Sequence, residues 1–198
     1  MNHIWDVIVV GAGPAGCAAS KRCAEHGLKT LLLERYDLPR EKVCGGMLLS
    51  PASRTLIKEE FGETPARIWS SSAYVRGYVL HIPGTTDRKI ELGRVPHAWR
   101  REFDNWLSQK AQQSGAELWS NARVINIIED EGAYLLKVNY DSVERDVKAR
   151  YVVGADGAAS VTRRCLFPDI KLAYGPATRR CYDETALDWS ALGLDREY

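Results

Sequence analysis

The chain has 198 residues, enough for one large domain with a sizeable buried core. Its 27 basic and 26 acidic residues nearly cancel, so charge gives no argument for nucleic acid, a membrane surface or an acidic substrate as partner. Five scattered cysteines without metal-ligand spacing favour reduced thiols, and the N-terminal segment lacks a signal-peptide pattern, so we expect a cytoplasmic protein without a metal site.

The first part of the chain predicts a βαβ unit. The β-branched run IWDVIVV, which stops at Gly11, is typical of a buried parallel strand. The next segment has helical composition and ends at Gly27, and KTLLLER predicts a second buried strand. Parallel neighbours need such a crossover helix. Residues 35–50 predict a loop, and SPASRTLIKEEFG predicts a capped amphipathic helix after it.

The rest of the chain predicts a hairpin, a helix and a meander. Residues 68–95 give two strand-like runs around a Pro-Gly-Thr-Thr turn, which we expect outside the parallel sheet. PHAWRREFDNWLSQKAQQSG predicts a helix, and AELW predicts a strand that rejoins the sheet. Residues 122–157 predict three short antiparallel strands, with turns at 130–132 and 140–142, and a final buried strand, RYVVGAD.

A glycine motif lies between the first strand and the first helix. Gly11, Gly13 and Gly16 fit G-x-G-x-x-G, in which the glycines permit a tight turn, the approach of a pyrophosphate and close helix packing. The phosphates would lie on the amides at the helix N-terminus, where Pro14 removes no needed donor. Glu34, at the end of the second strand, is placed to accept hydrogen bonds from an adenosine ribose. The pattern therefore predicts a dinucleotide site; the alternative is a glycine turn with a solvated Glu34.

The segment GADGAASVTRR, together with the predicted meander, resembles the flavoprotein group that includes p-hydroxybenzoate hydroxylase. The resemblance implies FAD rather than NAD, because ordinary NAD-binding domains lack this meander and the second motif. It implies that Asp156 and Gly157 lie against the cofactor and that the backbone of Val124 meets adenine. It also implies that a helical arginine reaches the FAD phosphates; Arg100 matches that position, and Arg101 is its rival.

Structural alternatives stand beside these roles. Asp-Gly is a common turn dipeptide, so Asp156 could simply form the turn at the end of the strand. Arg100 and Arg101 could belong to a solvated helix face. Ser160 is placed to cap the short helix that follows, whatever the function.

The loop LPREKVCGGMLLSP narrows the resemblance to the geranylgeranyl reductase family, whose members reduce isolated alkenes in prenyl chains using FAD. The likeness covers residues 4–165. In that family the loop runs beside the isoalloxazine, which implies that Cys44, Gly45 and Gly46 lie near the flavin and that Arg40 and Lys42 lie close to the phosphates.

The thiol in this loop has two open interpretations. Cys44 is a candidate catalytic residue, as a polarizable contact or as a nucleophile or proton donor with a pKa lowered by nearby cations. It could equally be a small buried residue selected for its size. The two glycines would let the backbone approach the ring and offer amides to its carbonyl edge.

The resemblance implies an α/β fold, a Rossmann-like FAD-binding domain with a parallel sheet, a three-stranded antiparallel meander and a β-hairpin insertion at about 68–95. We expect residues 1–165 to form this FAD/NAD(P)-binding domain and residues 166–198 to begin a truncated substrate domain. The family's chains are longer and carry a later Gly-Asp segment, which does not follow Gly157 here. The predicted fold is thus incomplete relative to the family.

The function implied is that of an FAD-dependent oxidoreductase that reduces a prenyl-chain alkene, with NADPH or a ferredoxin as candidate electron donor. The alternatives are a flavin monooxygenase of the aromatic hydroxylase or halogenase type, a non-catalytic module or fragment that needs a partner chain, and a structural relic. A prenyl or other hydrophobic substrate implies contact with a membrane surface, and exposed apolar surface left by the missing half would favour self-association. The predicted cofactor-binding residues are Gly11, Gly13, Pro14, Ala15, Gly16, Glu34, Arg35, Arg40, Lys42, Cys44, Gly45, Gly46, Arg100, Val124, Asp156 and Gly157.

Overall fold

The computed structural model describes residues 4–46, 51–173, 175–182, 184–186 and 188–191. Its main elements, in chain order, are β1 (Ile4–Val10), α1 (Pro14–Glu25), β2 (Thr30–Leu33), α2 (Pro51–Phe61), β3 (Trp69–Leu80), β4 (Arg88–Ala98), α3 (Arg100–Gln113), β5 (Glu117–Trp119), β6 (Ala122–Asp130), β7 (Ala133–Tyr140), β8 (Val143–Gly154) and α4 (Val161–Leu166). None of the described helices is both long enough and apolar enough to span a membrane.

The chain divides into two compact units. The first consists of Met1–Arg40 and Asp104–Gly175, and the second of Glu41–Phe103 and Pro176–Tyr198. Each unit is therefore assembled from two separate stretches of sequence. The predicted domain boundary at residue 165 stays a prediction.

A six-stranded sheet forms the centre of the first unit, with strand order β5-β2-β1-β8-β7-β6. Strands β5, β2, β1 and β8 run parallel, and β8, β7 and β6 form the antiparallel meander. The predicted βαβ unit, the return of AELW to the sheet and the Rossmann-like fold class are thus confirmed. Both meander turns are two-residue loops with positive φ at Glu131, Gly132, Asp141 and Ser142, as type I′ turns require.

Strand β8 differs from the prediction of two separate strands. It is continuous over Val143–Gly154: its first part pairs antiparallel with β7, and its second part pairs parallel with β1. The predicted burial of its final segment is wrong at Tyr151, whose side chain is 67% exposed. An apolar run is buried only where other elements cover it, and Tyr151 is left uncovered by the part of the chain that the structure describes.

The sheet of the first unit is buried on both faces, since all four residues of β2 are buried and successive side chains of a strand point to opposite faces, and one apolar cluster holds a large part of its core. Its buried members are Trp5, Ile8, Val10, Leu31, Leu33, Ala122, Val124, Ile127, Leu136, Val138 and Ala149. Helix α3 buries a stripe that includes Trp106, Leu107 and Ala111. The burial of these apolar side chains is the main stabilising contribution to this unit.

The second unit is built on the antiparallel pair β3–β4, which confirms the predicted hairpin insertion. Strand β4 extends further than predicted, because Pro96 and Ala98 pair with Tyr74 and Trp69 of β3 instead of beginning the helix. Helix α3 accordingly begins at Arg100.

Candidate functional site

The turn between β1 and α1 uses its three glycines differently. Gly11 has φ of +103°, and a Cβ there would lie 2.5 Å from the carbonyl oxygen of Ala155. A Cβ at Gly16 would collide with the carbonyl oxygen of Gly11. In contrast, a Cβ at Gly13 would meet no atom within 4 Å. Two of the glycines therefore allow close packing, and the third leaves the backbone open to the approach of a ligand.

The N-terminus of α1 is available to an anion. Its first backbone hydrogen bond runs from the amide of Cys17 to the carbonyl of Gly13, so the amides of Ala15 and Gly16 are not used within the helix. Pro14 occupies the first turn, no acidic residue lies there, and Gly13 supplies no side-chain cap. The positive end of the helix dipole faces this position.

Glu34 is not a solvated side chain. It is 4% exposed. Its Oε2 accepts the amide of Ala12 at 3.1 Å, and its Oε1 accepts the amide of Tyr36 at 3.2 Å. Nε of Arg40 lies 3.1 Å from the same Oε2. The carboxylate thus ties the end of β2 to the glycine turn.

Arg40 has partners other than the expected phosphates. Besides Glu34, its guanidinium contacts Oδ2 of Asp104 at 3.0 Å through Nη1 and donates from Nη2 to the carbonyl of Ala12 at 3.3 Å. Asp104 is fully buried on α3 and was not predicted from the sequence. Its position next to Phe103, one turn before Ser108 on the buried stripe, is the signal that could have indicated an engaged carboxylate.

Cys17 packs beside this cluster as a buried thiol. Burial and the carboxylate of Asp104 raise its pKa to about 12, and the opposing effect of Arg40 is smaller. The thiol is therefore protonated at neutral pH. Cys17 is thus a buried packing residue of α1.

The Asp-Gly pair follows β8 and adjoins the glycine turn, because the amide of Ala155 donates to the carbonyl of Val10 at 2.8 Å. Oδ2 of Asp156 accepts the amides of Val161 at 2.7 Å and Thr162 at 3.1 Å. This carboxylate therefore holds the first turn of α4, a role that the sequence did not indicate, and its contact with a cofactor stays a prediction.

Gly157 and Ser160 lie in the same connection between β8 and α4. Ser160 caps α4 through the amide of Arg163, as predicted. Gly157 has φ of +79°, and a Cβ there would meet no atom within 4 Å. The backbone at Gly157 is thus open in the same way as at Gly13.

Two other predicted residues belong to the first unit. Val124 is buried in β6, next to an irregularity in the pairing with β7 between residues 124 and 126. Arg35 is exposed, with its guanidinium 4.7 Å from the ring centroid of Tyr36. Their contacts with a cofactor stay predictions.

The Cys-Gly-Gly loop belongs to the second unit. Gly46 is buried with φ of +74°, its carbonyl accepts the amide of Ala98 at 2.8 Å, and a Cβ there would lie 2.5 Å from the Ala98 carbonyl oxygen. The amide of Gly46 points at Sγ of half-buried Cys44, 3.4 Å away. Packing against the end of β4 therefore already requires glycine at position 46. Gly45 is exposed.

Residues that the sequence did not indicate hold this loop. Arg179 donates from Nη1 to the carbonyl of Cys44 at 3.0 Å, pairs with Glu41 at 3.4 Å and lies 6.0 Å from the ring centroid of Trp99. Burial lowers the pKa of His97, whose hydrogen bond to the backbone of the loop acts in the opposite direction. Arg179 and His97 lie far from residue 44 in the sequence, so no local pattern indicated these contacts.

Lys42 and Arg100 are the remaining predicted phosphate contacts. Lys42 is exposed, and Arg100 is half-buried at the start of α3. Both belong to the second unit, so their approach to a ligand at the glycine turn stays a prediction. A cavity of about 310 Å³ in the same unit is lined by none of the predicted site residues; its lining is Arg54, Ile57, Lys58, Glu63, Thr64, Trp69, Tyr74 and Pro96.

Comparison with known proteins gives a family match. A model of the FAD binding domain matches residues 5–173. Digeranylgeranylglycerophospholipid reductase 1 of Methanopyrus kandleri is 36% identical over 160 residues, which are 79% of this chain and 40% of that protein. A probable electron transfer flavoprotein-quinone oxidoreductase of Escherichia coli is 36% identical over 167 residues, 81% of this chain and 38% of that protein. The chain thus spans about two-fifths of the length of these curated relatives.

Solved structures share the fold. A geranylgeranyl bacteriochlorophyll reductase-like protein of Thermoplasma acidophilum superposes with a TM-score of 0.64 at 25% identity, covering 78% of this chain and 40% of that one. The anhydrotetracycline hydroxylase OxyS of Streptomyces rimosus gives a TM-score of 0.63 at 22% identity, covering 82% and 33% respectively.

Proposed function

The chain belongs to the family of FAD binding domains, and from this premise we propose that its first compact unit binds FAD at the turn between β1 and α1. The observation that carries the proposal is the contrast among the glycines of the turn. Gly11 and Gly16 are packed too closely for a Cβ, whereas the space beside Gly13 is open where the unused amides of α1 begin. That is the arrangement that a pyrophosphate requires.

The roles of the individual residues follow from this placement. The amides of Ala15 and Gly16 would hold the pyrophosphate, Glu34 the adenosine ribose, and the open backbone at Gly157 would adjoin the cofactor. The bound flavin would supply the hydride chemistry, and the protein would supply binding and orientation. Contacts of Lys42, Arg100 and the Cys-Gly-Gly loop with FAD are proposed from the family resemblance alone.

Thermal unfolding with FAD tests this site. A ligand that binds the folded state stabilises it by about 2.7 kcal/mol at a hundredfold excess over its Kd, so FAD should raise the melting temperature. FMN, which lacks the adenosine half, should raise it much less. Gly13→Asp puts a carboxylate into the open space and should abolish the FAD effect, whereas Gly175→Asp, at another unobstructed glycine, should not. A melting temperature that FAD leaves unchanged would refute the proposal.

For the whole protein we propose reduction of an alkene in a prenyl chain, with NADPH or a ferredoxin as electron donor. Two observations support this class: the names of the relatives and the Cys-Gly-Gly loop, which Arg179 and β4 hold in a defined conformation. The fold does not separate it from a hydroxylase, since both structural neighbours superpose almost equally well. Protein loaded with photoreduced FAD should convert geranylgeraniol to products with two more hydrogen atoms per reduced double bond. Oxygen-dependent hydroxylation instead would favour the monooxygenase alternative.

Association and location are further parts of the proposal. Tyr151 and Leu172 of the first unit expose large apolar surfaces, which favour self-association or a partner chain. Sedimentation velocity should show a concentration-dependent mass, and a monomer at all concentrations would contradict this.

The five free cysteines favour the reducing cytoplasm, and a prenyl substrate would bring the protein to a membrane surface.

A further inference from the structure

We propose that Arg40 and Asp104 are positioning residues that orient the Glu34 carboxylate toward the ribose of the bound nucleotide. The inference rests on the proposed FAD site and deepens it. It gives Arg40 a task other than phosphate binding, and it gives the buried Asp104 a task in the cofactor site.

The hydrogen bonds of Glu34 leave one acceptor position for a ligand. A carboxylate has about four lone-pair sites, two on each oxygen. Oε2 accepts the amide of Ala12 at 3.1 Å and meets Nε of Arg40 at 3.1 Å, so both of its sites are used. Oε1 accepts the amide of Tyr36 at 3.2 Å. The second site of Oε1 is therefore the one that a ribose hydroxyl can occupy.

Arg40 fixes this arrangement because its guanidinium has a rigid fork of donors. One nitrogen contacts Glu34, a second contacts Asp104 at 3.0 Å, and the third donates to the carbonyl of Ala12 at 3.3 Å. The Arg40 side chain is only 11% exposed, and that of Asp104 is fully buried. The guanidinium cannot rotate without breaking contacts with both carboxylates and with the turn.

The same contacts argue against a phosphate ligand for Arg40. Its charge is already shared between two buried carboxylates, and their desolvation makes removal of the shared cation costly. Ala12 both donates to Glu34 and accepts from Arg40, so the ribose ligand and the glycine turn are held as one rigid element. The ribose contact should therefore depend on Arg40, a residue that does not itself touch the nucleotide.

The test compares ADP with 2′-deoxy-ADP and 3′-deoxy-ADP by isothermal titration calorimetry. A hydrogen bond to a charged group is lost with the hydroxyl, so at least one analogue should bind wild-type protein about tenfold more weakly than ADP. Arg40→Lys keeps the charge but loses the rigid fork of donors, so the ratio of the analogue's Kd to the Kd of ADP should fall close to one. Asp104→Asn should lower it in the same direction and serves as the second variant if Arg40→Lys does not fold. Asp130→Asn, which disrupts the Asp130–Lys148 pair in the meander, should leave the ratio unchanged.

The ratio separates a positioning role from a structural one. A purely structural change weakens ADP and its analogues equally, so folded variants that keep the wild-type ratio would overturn the inference while leaving the FAD site intact. If wild-type protein binds neither ADP nor FAD, the proposed function fails and the inference fails with it. Folding of each variant is checked by circular dichroism and thermal unfolding.

Discussion

Gly16 packs directly against the carbonyl oxygen of Gly11, leaving no room for a side chain between the start of α1 and the end of β1. We therefore expect Gly16→Ala to lower the free energy of unfolding by at least about 2 kcal/mol, because the helix must shift off the strand. Urea denaturation measures this loss. An unchanged unfolding free energy would show that the helix and strand are not packed as described.

Gly13→Ala, in contrast, should leave the unfolding free energy nearly unchanged and weaken FAD binding. Gly13 has φ of −82° and open space at the Cβ position, so alanine should change the unfolding free energy by less than about 1 kcal/mol. The methyl group would occupy the space proposed for the pyrophosphate, and FAD affinity should fall. Fluorescence titration of FAD measures this, and wild-type affinity in Gly13→Ala would place the phosphates elsewhere.

The buried thiol of Cys17 should make stability depend on alkaline pH. Its pKa rises from 9.0 to about 12 on folding, so between these values the folded state holds a proton that the unfolded chain has lost. The contribution is fully present below pH 9.0 and is lost as pH rises toward 12, at about 1.4 kcal/mol per pH unit. Denaturation of wild type and Cys17→Ala across this range should show their difference shrinking, whereas Cys181→Ala, at an exposed cysteine, should track wild type.

Asp156 and Ser160 both stabilise α4, so a comparison of their variants separates the structural role of Asp156 from its role in ligand binding. Asp156→Ala and Ser160→Ala should each lower the unfolding free energy by about 1 kcal/mol, the typical value for a lost helix cap. Only Asp156→Ala should also weaken FAD binding. Equal FAD affinities in the two variants would reduce Asp156 to a capping residue.

Arg179 should protect the thiol of Cys44 from modification. Loss of its hydrogen bond to the Cys44 carbonyl costs about 1.4 kcal/mol of local stability, which corresponds to about a tenfold faster reaction if local opening limits access. Mass spectrometry of iodoacetamide labelling at Cys44 measures the rate in Arg179→Ala. The exposed neighbour Arg180 provides the control, since Arg180→Ala should label like wild type. Identical rates in all three proteins would contradict the restraint.

The sequence predicts those features that depend on local pattern. The glycine motif, the strands β1 and β2, and the turn at Glu131 follow from periodicity and turn chemistry over a few residues. The pairing of Arg40 with Asp104 does not, because it joins a loop to a helix far away in the chain and each residue alone is typical of a solvated surface. The continuity of β8 could not be predicted either, because no pattern in a strand's own residues indicates that it pairs with one strand in its first part and with another in its second part.

Position 46 shows a different limit of sequence reasoning. A glycine beside a cysteine in a reductase-like loop predicts room for a flat ring, yet the neighbour that excludes a Cβ at Gly46 is the Ala98 carbonyl. The residue type was informative, but the group that makes glycine necessary could be identified only from the fold.

The pairing of β1 with β8 also governs when the protein can acquire its cofactor during synthesis. Gly11 leaves the ribosome well before the backbone that packs on it, which belongs to Ala155, much later in the chain. Contacts so distant in sequence form late, after most of the domain has been translated. The nascent chain therefore carries its glycine motif without a completed turn until Ala155 has been synthesised, and cofactor loading should begin only when β8 has emerged and docked.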